Sequence, residues 1–275
     1  VGPNMKDIST APADMPIPQP EDSQPAAAQR YRAIWLSDIH LGQRSCAAES
    51  LLDFLKHHDA EQWYLVGDIL DGKSLDQTLN WPQLHNDVVQ KMLRKARKGA
   101  RVVFIPGNHD RFLLGFSRHS FGVILVLPET MHETADQRLL WVVHGDQFDS
   151  VVQYAPWLSF FGKKHQDRLL PAGRFLNRIR RKLGFAEWSL SAHIQSDTET
   201  RNPTSAPFVE ALLHAARRKG TDGVICGHTH KAEIRKVNGQ LYCNTGDWVH
   251  SCTALVEHFD GRLELIHWKG ESRAG

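Results

Sequence analysis

Five short clusters of carboxylate, amide and imidazole side chains, each placed directly after an apolar run, constrain this chain more than any other feature. They are Asp38-Ile39-His40, Gly67-Asp68-Ile69-Leu70-Asp71, Gly107-Asn108-His109-Asp110, His144-Gly145-Asp146 and Gly227-His228-Thr229-His230. An apolar run that ends in such residues reads as a buried strand carrying polar side chains to the rim of a sheet. Open α/β sheets hold their ligands at that rim, beyond the carboxyl ends of the strands.

The runs before the clusters predict strands over 31–36, 62–66, 101–105, 139–143 and 223–226, with closing strands over 240–243, 254–257 and 263–267. Between them, Leu51, Leu52, Phe54 and Leu55 repeat at helical spacing within 47–58. A second helix is expected over 81–98, with Pro82 at its first turn and Gly99 as its stop. Strands alternating with helices imply βαβ units and parallel pairing.

The 275 residues suffice for one α/β domain with an insertion; 41% are hydrophobic and 23% charged, ordinary for a globular protein. The net charge of +2 is too small to argue for a nucleic-acid partner. No apolar stretch approaches the ~20 residues of a membrane-spanning helix, and the start of the chain shows no secretory pattern. Cys46, Cys226, Cys243 and Cys252 form no CxxC pair, so reduced thiols are expected. Residues 1–29 are rich in Pro, Ala, Ser and Gln, a composition that cannot offset its ordering entropy; a disordered tail is expected there. Over about 147–202 the rhythm breaks. Tyr154, Trp157, Phe160 and Phe161 lead into a stretch from Gly162 to Gly184 with a local charge of +7. Within it Phe175, Leu176, Ile179 and Leu183 share one helical face and arginines occupy the other. A solvated cap, a lid for an anionic amphiphile or peripheral membrane surface, and a nucleic-acid surface are all compatible with this insertion.

Asp38 and His40, two apart on an extended segment, can face one cation. Asp68 has two oxygens and can bridge a pair of cations. Asn108 adds a neutral oxygen, and His144, His228 and His230 add nitrogens. Such N/O donors suit divalent transition metals, and seven of them for two ions leave positions open for water and substrate. Two ions about 3.5–4 Å apart would lower the pKa of a shared water and clamp the oxygens of an in-line displacement at phosphorus. Manganese is the first expectation, with iron, zinc and nickel also accommodated by these donors. Outside this set, Asp110 reads as structural. Asp146 and Asp149 read as partners of the ligands or as loop caps, and Asp247 stands out by position alone. His57 and His58 should bond terminal helix carbonyls. His85, His119 and His165 are expected at the surface.

The ordered set DxH, GDxxD, GNHD, HGD and GHTH resembles the calcineurin-like metallophosphoesterase superfamily over residues 31–258. The resemblance implies an α/β fold, a four-layer αββα sandwich of the metallophosphoesterase type, here with a helical lid insertion. It implies that Asp38, His40, Asp68 and His230 hold one metal and that Asp68, Asn108, His144 and His228 hold the other. His109 would protonate the leaving oxygen, with Asp71 orienting it. Runs such as Ser37-Asp38-Ile39-His40-Leu41-Gly42, Trp81-Pro82-Gln83 and Gly246-Asp247-Trp248-Val249 are similar to the branch that contains UDP-2,3-diacylglucosamine diphosphatases. That branch implies a nucleotide–lipid substrate, a cytoplasmic setting and peripheral contact with an inner membrane, with nucleic acid an unlikely partner. Its well-known members usually carry arginine where His109 stands; histidine there is the wider superfamily pattern for phosphomonoesters and diesters. The rival expectations are a phosphodiesterase or nuclease with the same metals, and a catalytically silent scaffold. Oligomeric state is not legible.

Overall fold

Alternation along the first strand sets the architecture. In β1 (Gln29–Leu36), Ala33 and Trp35 point to one face while Ile34 and Leu36 point to the other, and all four are buried. A strand buried on both faces must have layers on both sides. The computed structural model describes residues 28–72, 81–116, 120–121, 123–149 and 206–268.

The first sheet adds β2 (His58–Val66), β3 (Arg101–Ile105), β4 (Ser120–Phe121), β5 (Ile124–Val126), β11 (Thr253–Glu257) and β12 (Leu263–His267), in the order β12-β11-β1-β2-β3-β5-β4. The second contains β6 (Thr130–Glu133), β7 (Leu139–Val142), β8 (Gly223–Cys226), β9 (Glu233–Val237) and β10 (Gln240–Asn244), in the order β6-β7-β8-β10-β9. Both are mixed. β1, β2, β3 and β5 run parallel, as do β7, β8 and β10, and the strands at the edges are antiparallel.

Three cores hold the layers together. Trp35, Tyr64, Val103, Ile105, Leu140, Val142, Ile225 and Leu255 fill the space between the sheets. On the outer face of the first sheet lie α1 (Ala48–His57), through Leu51, Phe54 and Leu55, and α2 (Gln83–Arg97), through Val88, Met92 and Ala96. On the outer face of the second lies α3 (Ala206–Arg218), through Phe208, Val209, Leu212 and Leu213. Each buried aliphatic or aromatic side chain contributes about 1.5–3 kcal/mol, so these cores fix the strand ends rigidly.

The expected elements appear with bounds shifted by a few residues. Gln29, assigned to the tail in the sequence reading, is instead the first residue of β1 and pairs with His58. Gly99 follows α2 with φ +102°, the left-handed stop a glycine permits. α3 and the short strands β4, β5, β6 and β9 were not anticipated. The tail residues 1–27 and most of the 147–202 insertion lie outside the described residues. The four cysteines are free, and among the described residues no helix is long and apolar enough to cross a membrane.

Candidate metal centre

All five clusters leave the sheets at the carboxyl ends of parallel strands: β1, β2 and β3 in the first sheet, β7 and β8 in the second. Backbone hydrogen bonds lace the loops together. Asp38 N–H donates to Gly67 O, His40 N–H to Asp68 O, and Gly227 N–H to His144 O. The turns are sharp: Asp38, His40, Asp68, His228 and His230 all have φ between 51° and 69°, a left-handed conformation uncommon for residues with a Cβ. Two glycines allow the close approach this requires. A Cβ on Gly107 would press on the Asp68 carboxylate and lie 2.7 Å from His144 Nε2, and one on Gly227 would lie 2.5 Å from Asp38 Oδ2.

Two groups of donor atoms gather at these strand ends. Asp38, His40 and His230 each offer an atom within 4.8 Å of the others, and so do Asp68, His144 and His228. Asp68 groups with the second set; its Oδ1 accepts the His109 N–H at 2.8 Å, while Oδ2 faces His144 Nε2 at 3.4 Å. Asn108 turns a buried Oδ1 toward no hydrogen-bond donor among the described residues. The same is true of Asp38 Oδ1, His40 Nδ1 and His144 Nε2. Buried polar atoms are ordinarily satisfied. Four left unsatisfied on adjacent ligand-type side chains are what a cation centre needs, so this donor set fits divalent metal.

The surroundings tune each donor. Ser37 Oγ and the His228 N–H both donate to Asp38 Oδ2, at 2.5 and 2.9 Å, leaving Oδ1 to face His230 Nε2 at 3.3 Å. Burial pushes the Asp38 carboxyl above its usual range against the opposing pull of His144 and His230. Burial acts on Asp68 in the same direction, but bonds and charge from His144 and His109 overcome it and hold it at about 2. Burial would depress His144, yet Asp68 and Asp38 carry it to about 9. Its Nδ1–H donates to Val66 O at 2.9 Å, which fixes the tautomer that leaves Nε2 for a metal once a proton is displaced. Burial holds His40 below the usual imidazole range.

His109 Nδ1 stands 3.3 Å from Asp71 Oδ1, and Gln43 Nε2 donates to Asp71 Oδ2. Gln43 was missed in sequence; it follows the first cluster with no motif of its own. Asp110 is structural, as its bonds show: it accepts the Gly107, Ile69 and Leu70 N–H groups from full burial. Asp149 Oδ1 lies 2.6 Å from His228 Nε2, and Asp146 pairs with Arg111 at 2.7 Å. Asp247 caps the turn over 249–251 and stands 3.9 Å behind His230 Nδ1. His57 and His58 bond the helix carbonyls of Asp53 and Phe54. His85 corrects the surface expectation: it is buried, because its Nδ1 accepts the Gly42 N–H and holds the loop after the first cluster. His119 and His165 lie outside the described residues.

Curated relatives align with this chain over nearly their whole length. A UDP-2,3-diacylglucosamine hydrolase of Xanthomonas campestris is 28% identical, with 83% of this chain and 96% of that protein aligned. The same-named enzyme of Photorhabdus laumondii is 27% identical over 85% of this chain and 97% of its own. A zinc complex of Vps29 from Entamoeba histolytica is 16% identical with a TM-score of 0.42, over 86% of this chain and 99% of that one, a likeness too distant to bear on function. The calcineurin-like phosphoesterase family matches residues 31–232, a span that holds all five clusters, and the chain belongs to that family of metal-dependent hydrolases.

Proposed function

We propose that this phosphoesterase uses two divalent cations, manganese first among the candidates, to cleave the diphosphate of a nucleotide-linked lipid such as UDP-2,3-diacylglucosamine. The observation that carries the two-cation reading is the convergence of buried, hydrogen-bond-free donor atoms on two groups of side chains. Asp38, His40, Asp68 and His230 would hold one ion and Asp68, Asn108, His144 and His228 the other, with Asp68 shared. Such a pair supplies Lewis-acid activation of water and neutralises phosphoryl charge.

The remaining steps belong to the chain's own side chains. His109, on the loop after β3, delivers a proton to the departing oxygen. Asp71 orients the His109 ring through Nδ1, and Gln43 secures the far oxygen of Asp71. The Val66 carbonyl and Asp149 fix the imidazoles of His144 and His228. The lipid substrate draws its support from relatives aligned along almost their full length. The basic and aromatic sequence of 147–202 is chemically suited to a phosphorylated lipid, from the cytoplasmic side of a membrane. His109 itself favours a second reading, a phosphodiesterase acting on nucleotides, since the best-known lipid A diphosphatases usually carry arginine at that place.

A hydrolysis panel with Mn²⁺ separates them. Turnover of the UDP-linked diacyl sugar at least tenfold above that of a cyclic nucleotide and an aryl phosphate supports the first reading; the reverse order supports the second. In either case His109→Ala should lower turnover by about 10²–10⁴-fold while metal content stays at two equivalents. Loss of metal in that variant would make His109 a ligand and overturn its assigned role.

A further inference from the structure

The loop that follows β1 alternates left-handed positions: Asp38, His40 and Gly42 have φ of 51°, 54° and 108°. Carbonyls at the end of β2 hold its first part, where the Asp38, His40 and Leu41 N–H groups donate to Gly67, Asp68 and Ile69. The next N–H, that of Gly42, donates instead to a side chain 43 residues on, His85 Nδ1, at 2.9 Å. A ring nitrogen that accepts such a bond carries no proton, so His85 is a neutral imidazole protonated on Nε2. Its place supports that state. It is 4% exposed, and it lies in the first turn of α2, where the helix dipole opposes a positive charge. Trp81 stands edge-on to the ring at 5.6 Å, and Val88, Met92 and Ala96 seat α2 in the core. The acceptor is thus anchored in the core and not in the loop it serves.

We propose that His85 is a positioning residue for the metal centre: by fixing the Gly42 amide it holds the turn that aims His40, and so sets the affinity of the cation held by Asp38, His40 and His230. The inference rests on the two-cation reading of the proposed function. Gly42 lies inside the turn that fixes the His40 backbone, because the Gln43 N–H donates back to His40 O at 3.0 Å. Without His85 the Gly42 amide is left partly buried and unmet, which has a cost. His40 is then free to leave a conformation that few residues with a Cβ adopt. His144 and His228 come from the second sheet and are tied through the bond from Gly227 N–H to His144 O. Their group should not depend on this turn.

The test is Mn²⁺ binding by equilibrium dialysis on the metal-stripped full chain. His85→Leu removes the acceptor and keeps the bulk; His85→Asn places Oδ1 where Nδ1 stands and keeps the acceptor. His85→Ala, read in the same way as His85→Leu, guards against a packing effect of leucine. The wild type should take up two equivalents. In His85→Leu one of the two should bind at least tenfold more weakly, the usual effect of losing a group that orients a ligand, and His85→Asn should recover most of the loss. Added to His40→Ala, His85→Leu should cost nothing further, whereas added to His144→Ala its full effect should persist. Amide exchange of the metal-free protein reads the turn without any cation: residues 40–43 should exchange faster in His85→Leu and at the wild-type rate in His85→Asn. An affinity or an exchange rate unchanged in His85→Leu, an equal loss in His85→Asn, or an equal weakening of both cations would each overturn the inference and leave the two-cation reading intact. A wild type that binds no cation would remove both.

Discussion

Two buried polar clusters, both built on β1, treat their ionisable groups in opposite ways. Upstream of the metal centre, Glu257 is inaccessible to solvent but fully engaged. Arg32 Nη1 donates to both of its oxygens at 2.8 Å, the Ala135 N–H to Oε1 at 2.7 Å, and His132 Nε2 meets Oε2 at 2.7 Å. Tyr64 completes the cluster through its hydroxyl, 2.9 Å from His132 Nδ1. At the carboxyl end, Asp38, His40, Asn108 and His144 each bury a donor atom that no hydrogen bond meets. Backbone strain divides the same way. Five of the eight non-glycine residues with left-handed φ among the described residues are proposed ligands, and none belongs to the Glu257 cluster. An unmet buried polar atom costs about 1–3 kcal/mol, and a strained backbone position costs about as much. A fold keeps such costs together only where a ligand offsets them. The Glu257 cluster stabilises the protein by itself, and the metal centre needs its cations to do so.

The sharpest way to break this contrast is Asp38→Asn. The amide oxygen can keep the bonds from Ser37 and His228, while its NH₂ replaces the oxygen meant for the metal. Turnover should fall by more than about 10⁴-fold, ~5.5 kcal/mol of barrier. The metal-free protein should melt no lower than wild type, because burial already works against the Asp38 charge. A clear loss of metal-free stability in differential scanning calorimetry would place Asp38 among the structural residues.

Glu257→Gln should do the reverse. Breaking a buried, hydrogen-bonded pair from one side costs about 3–5 kcal/mol of stability, while turnover of the folded fraction stays within a few-fold of wild type. Burial raises the Glu257 pKa, but His132, the Ala135 N–H and Arg32 outweigh it, so the folded value is depressed. Its stabilisation is therefore present above the ordinary carboxylate range near pH 4 and is lost as pH falls through the depressed folded value. Urea titrations at pH 7 and pH 3 should show the gap between wild type and variant closing in acid; a gap independent of pH would mean that the carboxylate charge contributes nothing.

How much of each cluster the sequence announces follows from the same contrast. Asp38, Asp68, Asn108, His144 and His228 were legible because each ends a continuous apolar run, and β3 and β8 appear with the expected bounds. The Glu257 cluster was silent. His132 lies on a four-residue edge strand and Glu257 near the end of β11, and nothing local signals that two distant strands meet. α3 escaped because its apolar stripe directly follows the basic insertion, and β9 because its partly exposed residues show no alternation. The left-handed turns were hidden for another reason: Asp and His tolerate that conformation better than most residues with a Cβ but adopt it rarely, and close packing rather than local sequence selects the positions. Gly107 is the test of that packing. Gly107→Ala carries no φ penalty, yet its Cβ reaches Asp68 and His144. Displacing either ligand by about 1 Å should cost about 10² in turnover, with metal affinity weakened and the melting temperature little changed.

The smallest expected effect tests whether the Glu257 cluster is satisfied bond by bond. Tyr64 stacks on Trp35 at 5.3 Å in the core between the sheets, and its hydroxyl donates to Gln62 Oε1 at 2.8 Å as well as meeting His132. Tyr64→Phe keeps the ring and removes only the hydroxyl, so packing and metal binding should be untouched. The loss should be about 0.5–1.5 kcal/mol, the net contribution of an ordinary hydrogen bond, read as a shifted urea midpoint at constant slope. A loss of ~3 kcal/mol or more would mean that His132 was left buried without a partner and that the cluster acts as one cooperative unit. A loss near zero would mean that water or Gln62 replaces the hydroxyl, and that the bonds of Arg32 to the Glu133 carbonyl and of Glu257 to His132 and the Ala135 N–H hold the two sheets together at this point.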